Sequence, residues 1–167
     1  MLLNAGAEVN AQGGEYSNAL QATSAGGYKR IVKMLLDAGA EVNAQGGEYG
    51  NALQAASAFG HEQLVRMLLD AGAEVNAQGG EYGNALQPAS AKGHERLVKM
   101  LLNAGAEVNA QGGVYGNALQ AALYEGYEQV AKTLLDTGAD VNVRYLASAR
   151  GHEQVAKMLL NAGAYLP

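Results

Sequence analysis

The chain has 167 residues, 49% of them hydrophobic and 16% charged, the composition of one folded globular unit rather than of a disordered tail. Its formal net charge is −5, so no overall basic field draws in nucleic acid or an anionic membrane surface. It has no cysteine, which removes disulfide frameworks, thiolate metal sites and cysteine nucleophiles.

The opening segment, MLLNAGAEVNAQ, has no basic stretch before an apolar run, and no part of the chain approaches 18 consecutive apolar residues. Neither a secretion signal nor a membrane span is expected, and a cytoplasmic location is the resulting expectation. Met1 to Glu8 instead closely matches Met34 to Glu41 and Met67 to Glu74, so residues 1–9 read as the end of a truncated repeat. The tetrapeptide NALQ begins at Asn18, Asn51, Asn84 and Asn117, a constant step of 33, and the AGAEVN segment keeps the same step from Ala5, Ala38, Ala71 and Ala104. A period of this size signals a solenoid, whose units are too small to bury a core alone and are stabilised by their neighbours. The full repeats are assigned to 10–42, 43–75, 76–108 and 109–141, with a shortened unit over 142–167, all in a single domain covering 1–167.

The repeat over 43–75 shows the pattern. Its start, NAQGGEYG, is polar and glycine-rich and predicts a projecting loop or loose hairpin finger. Asn51 then caps a first helix of about two turns, with Gln54 placed to reach back as in a capping box. Ala52, Ala55, Ala56 and Ala58 make this helix small enough for close packing. Gly60-His61 breaks it, and a second helix runs from Glu62 to Asp70 with Leu64, Val65, Leu68 and Leu69 on one apolar face. Gly72 suits a left-handed position after the helix, and Ala73 and Val75 return the chain to the core. Glu62–Arg66, Glu95–Lys99, Glu128–Lys132 and Glu153–Lys157 are ion pairs in the favourable helical order, each worth roughly 0.2–0.5 kcal/mol. The first repeat instead sets Lys29 four residues before Lys33 and should be weaker there.

Two copies depart from the pattern. Pro88 replaces an alanine and, with Asn84 as cap, removes the first helical hydrogen bond, predicting a locally loosened first helix. The last unit, VRYLASAR followed by a second helix over about His152 to Asn161, has lost its finger and most of its first helix. The apolar KMLLNAGAYLP end is no polar cap, so end-to-end self-association is one expectation.

The step of 33, the short helix pair, the GHEQLVRMLLDAGAEVNA segment and the intervening finger resemble the ankyrin repeat, from Met1 to Ala164. The resemblance implies an all-α, ankyrin-type solenoid of stacked helix-turn-helix units with projecting fingers, acting as a protein-binding scaffold. The family's opening Thr-Pro-Leu-His corresponds here to Asn-Ala-Leu-Gln, so Asn51 takes the capping role and Gln54 the histidine's bonding role. The family's finger-turn Asp and Gly fall on Gly46 and Tyr49, a departure in finger shape. The NAQGGEYGNALQAAS spelling is also similar to C-terminal ankyrin arrays of fungal receptor-like proteins carrying a NACHT domain, which would make this the recognition end of a larger protein.

The copies disagree mainly in one column, Gly26, Phe59, Lys92, Glu125 and Arg150, beside Ala25, Ala58, Ala91 and Tyr124. By the resemblance this column faces the concave groove, and Phe59, Lys92, Tyr124 and Glu125 are candidate partner contacts; drift of a solvent-facing position fits the same pattern. Tyr16, Tyr49, Tyr82 and Tyr115 form a ladder expected at about the 8–10 Å spacing of packed helices. They are either interface anchors or rings that cover the adjoining finger, and their constancy among polar neighbours points to the covering role. Glu15, Glu48 and Glu81 make the finger edge acidic, which suits either a basic partner or a solvated rim.

Catalytic patterns are missing. His61, His94 and His152 each precede a glutamate, yet no second histidine follows four residues later, so the zinc-protease motif fails. They read as bonding residues between helices. Ser24, Ser57 and Ser90 obey the period, whereas a catalytic constellation should break it. The glycine pairs lack the lysine of a phosphate loop. No catalysis, cofactor, metal, nucleic acid or membrane is expected, and a structural spacer array is the competing function.

Overall fold

The computed structural model describes residues 8–141 and Lys157. Among these the helices are α1 (Ala19–Ala25), α2 (Lys29–Asp37), α3 (Ala52–Ala58), α4 (Glu62–Asp70), α5 (Leu86–Ala91), α6 (Glu95–Asn103), α7 (Ala118–Glu125) and α8 (Glu128–Asp136). The only extended pairings among the described residues are isolated antiparallel bridges within the fingers. Apart from Lys157, the shortened last unit with its expected second helix lies outside the described residues.

The helices form two layers. The first helices pack side by side, α1 on α3, α3 on α5 and α5 on α7, and each second helix lies against its own first helix. Alanine makes the tight layer possible: every residue of α3 is buried. Leu20, Leu53, Leu86 and Leu119 lead from the first helices into a continuous core with Leu64, Val65, Leu68, Leu97, Val98, Leu101, Val130 and Leu134 of the second helices. Full burial of one such side chain contributes about 1.5–3 kcal/mol. Leu69, expected in the core, is only partly buried at its margin, because it sits at the side of the apolar stripe.

The termini of the helices follow their local chemistry. Asn18, Asn51 and Asn117 accept from the backbone N–H three residues on, and Asn51 with Gln54 completes a capping box. At the other end of α4, Gly72 at φ 91° lets its N–H reach Leu69 O while Ala73 N–H reaches Leu68 O. These two bonds make a Schellman motif that satisfies carbonyls the helix leaves open.

Pro88 acts one step differently from expectation. α5 begins at Leu86, and Asn84 Oδ1 accepts from both Leu86 N and Gln87 N. The bond that Ala22, Ala55 and Ala121 make to their capping asparagine carbonyl has no counterpart at Pro88, which carries no N–H. The helix starts one residue late, so the loosening is confined to its first turn.

The ion pairs also differ. Among the described residues only Glu95–Lys99 closes of the expected pairs, and Glu62–Arg66 and Glu128–Lys132 do not; Glu153 lies outside the described residues. Lys33 pairs with Asp37 at 3.3 Å and Lys29 donates to Gln63 at 3.1 Å. The two lysines turn to separate partners, so their repulsion is relieved.

Candidate binding surface

The fingers position the candidate residues. Within each, a glycine N–H bonds back across the turn, as Gly46 N to Gly50 O at 2.8 Å and Gly112 N to Gly116 O at 2.8 Å. Fingers then bond to each other: Glu81 N donates to Glu48 O at 2.7 Å, and Val114 N to Glu81 O at 2.8 Å. The glycine pairs permit this approach. A Cβ on Gly80 would lie 2.4 Å from Glu48 O, and one on Gly113 2.2 Å from the Tyr82 carbonyl carbon.

Beneath the fingers runs a file of glutamines. Gln21, Gln54 and Gln87 each donate from Nε2 to two carbonyls of the next repeat, for Gln54 those of Ala77 (3.0 Å) and Gly83 (2.9 Å). The residue expected to close a cap therefore also clamps one repeat to the next. At the returns, Asn43 accepts from Glu74 N and donates to Gly72 O, and Asn10, Asn76 and Asn109 do the same in their own repeats. The constancy of these asparagines was visible, but sequence reasoning attached no role to them.

The tyrosines stack closer than the expected 8–10 Å. Ring centroids are 6.0 Å apart for Tyr16–Tyr49, 6.0 Å for Tyr49–Tyr82 and 6.2 Å for Tyr82–Tyr115, with interplanar angles of 5°, 9° and 27°. The helix spacing does not transfer to the fingers, because backbone bonds and glycines set their separation.

The variable column joins this ladder. Phe59, 46% exposed, lies 5.6 Å from the Tyr49 ring and 6.3 Å from His61. Tyr124 meets Tyr115 edge-on at 5.8 Å, and the Tyr115 hydroxyl donates to Glu125 Oε1 at 3.0 Å. Lys92 is exposed at the equivalent place between them, Glu81 is exposed and Glu48 is half-buried. Arg150 is outside the described residues. Of the ten candidates, Tyr16, Tyr49, Tyr82, Tyr115, Phe59, Tyr124 and Glu125 are linked by direct ring or hydrogen-bond contact, while Lys92, Glu48 and Glu81 flank them. His61 belongs to the same aromatic surface and was not among the candidates.

Burial pushes the Tyr49 hydroxyl up to about 12, with the negative charge of Glu48 adding to it. Burial likewise raises Tyr115 to about 12, helped by its bond to Glu125, and raises Tyr82. The rings therefore present neutral hydroxyl donors over the whole physiological range.

Of the residues tested for chemistry, His61, His94 and Ser90 have structural partners, while the buried Ser24 and Ser57 hydroxyls have none. His61 Nε2 meets Ala25 O at 2.9 Å and His94 Nε2 meets Ala58 O at 3.1 Å, so each nitrogen is a donor to the preceding repeat rather than a metal ligand. His152 is outside the described residues. Ser24, Ser57 and Ser90 are fully buried, and Ser90 Oγ donates to Leu86 O at 2.7 Å. The shallow clefts between second helices, one lined by Gly93, Glu95, Tyr127 and Glu128, contain none of the candidates. No helix among the described residues is long and apolar enough to cross a membrane.

Comparison with known families agrees with the architecture. A family model described as ankyrin repeats (3 copies) matches residues 1–79 and again 77–145. A search of curated proteins finds no match to the sequence.

Proposed function

The chain belongs to the ankyrin-repeat family, whose members generally serve as protein-protein interaction modules, and on that premise we propose that it binds a protein partner through the surface made by its fingers and first-helix ends. The observation that carries this reading is the meeting of constant and variable residues. A fixed ladder of Tyr16, Tyr49, Tyr82 and Tyr115 is joined by Phe59, Tyr124 and Glu125, from columns that differ between otherwise faithful copies. Core positions repeat because stacking demands one shape. Aromatic anchors beside changing charges are the composition of a recognition surface. Such a surface acts by binding, without catalysis, over a single repeat domain at 1–167.

The NALQ spelling supports a further step, that the array is the recognition end of a larger receptor-like protein of the fungal NACHT kind. Function is tested by a pull-down from source lysate with the parent chain beside a Phe59→Ala, Tyr124→Ala variant. Circular dichroism should show equal helicity, and capture of the partner should fall at least tenfold. Identical captures, or no specific capture, would favour a structural or self-associating array.

A further inference from the structure

The tyrosine ladder shares its surface with carboxylates that form no ion pair among the described residues. Glu15, Glu48 and Glu81 each precede a ladder tyrosine, and Glu125 accepts from the last one. The ion pairs that close among the described residues, Lys33–Asp37 and Glu95–Lys99, are both on second helices. Aromatic rings and free negative charge therefore alternate along one edge.

A cation gains from both. The ring faces are turned toward one another along the stack, so a cation is met by the phenol oxygens, which accept from an ammonium or guanidinium group, and by the carboxylates, which form charge-assisted hydrogen bonds with it. Arginine suits the combination better than lysine, since its rigid fork of N–H groups reaches a phenol oxygen and a carboxylate together.

Spacing narrows the form of the ligand. The ladder repeats at 6.0–6.2 Å, close to the roughly 6.4–6.8 Å between alternate residues on one side of an extended chain. The small difference is within the reach of long side chains. Six or seven extended residues cover its length of about 18 Å, whereas a helix rising about 1.5 Å per residue needs around twelve.

We infer that this edge is a docking strip for an extended, arginine-rich segment of the partner protein, with guanidinium groups on alternate residues meeting Tyr16 to Tyr115 and the carboxylates Glu15, Glu48, Glu81 and Glu125. The inference rests on the binding function above and gives its partner a chemistry. Lys92, exposed in the same region, opposes such a ligand and sets a test of sign.

The probe is a fluorescein-labelled peptide of four Arg-Thr repeats, followed by anisotropy, with four Asp-Thr repeats as control. The parent chain should bind the basic peptide saturably and the acidic one not at all. Glu48→Gln, Glu81→Gln, Glu125→Gln together should weaken binding at least tenfold. Glu41→Gln, Glu74→Gln, Glu107→Gln removes the same charge from exposed return segments and should change it less than twofold. Lys92→Glu should tighten binding at least threefold. No binding by the parent, or equal loss in both triple variants, overturns the inference, the latter by revealing diffuse charge attraction. Capture of a lysate partner that depends on Phe59 and Tyr124, with no affinity for the basic peptide, would leave the binding function standing and remove only its chemistry.

Discussion

Gly80 and Gly72 both hold left-handed backbone, at φ 62° and 91°, yet they do different work. Gly72 has open space where a Cβ would go, so Gly72→Ala should cost only the left-handed penalty of about 1–2 kcal/mol. At Gly80 the same methyl would strike Glu48 O at 2.4 Å, a backbone atom that cannot step aside without breaking the finger-to-finger bond. Gly80→Ala should therefore cost clearly more than Gly72→Ala, beyond about 2 kcal/mol, in paired urea unfolding curves. The ladder tyrosines add a pH dependence at the same scale. Tyr49 and Tyr115 hold their protons up to about 12 when folded, against 10.0 ordinarily, so the unfolded chain releases protons first and gains from it as pH rises. Their contribution is complete below pH 10 and lost as pH climbs through 12. Urea midpoints should fall across that window, and Tyr49→Phe with Tyr115→Phe should flatten the decline.

At the scale of an element, α5 shows how a cap adapts to a residue it cannot accommodate as the other repeats do. With its start at Leu86, Pro88 falls in the first turn, where a missing N–H is least costly. The unmade bond is the one to the Asn84 carbonyl. Pro88→Ala should restore it and move the helix start back to Ala85, raising stability by about 0.5–1.5 kcal/mol, the worth of one hydrogen bond, rather than the roughly 3 kcal/mol of a helix-interior proline. Thermal unfolding of the two chains measures the difference, and an unchanged midpoint would mean that the doubled acceptance at Asn84 already compensates. Elsewhere the elements follow their local signals: α4 runs from Glu62 to Asp70 as its apolar spacing predicts, bounded by Gly60 and Gly72.

For the whole molecule, side-chain amides tie the repeats together beyond the apolar core. Gln54 joins its repeat to the next through Ala77 O and Gly83 O, Asn43 closes its own repeat through Gly72 O and Glu74 N, and the apolar core runs on from Leu53 and Leu68 to Leu86 and Leu101 of the next repeat. Stacking then places residues 33 positions apart in the chain, such as Tyr49 and Tyr82, with ring centroids 6.0 Å apart. The proposed binding surface is a product of this translation, since each repeat supplies one rung and no repeat alone makes the ladder. Its acidic, aromatic character follows from rungs added in register, which is why the charge-matched variants at Glu48, Glu81 and Glu125 are compared with an equally periodic set on the returns.

The sequence by itself determined the solenoid, the helix pairs, the asparagine caps and the glycine stops, because these depend on local periodicity and on contacts between residues at a constant step. It also picked out the tyrosines and the variable column, whose patterns are legible when copies are aligned within the chain. Only the tertiary structure decided how closely the fingers approach, that Phe59 and Tyr124 close onto the ladder, that glutamines clamp successive repeats, and which helical charges pair. Those outcomes turn on a few ångströms between neighbouring units and on side-chain rotamers, and a periodic sequence states which residues recur without stating the distance at which they meet.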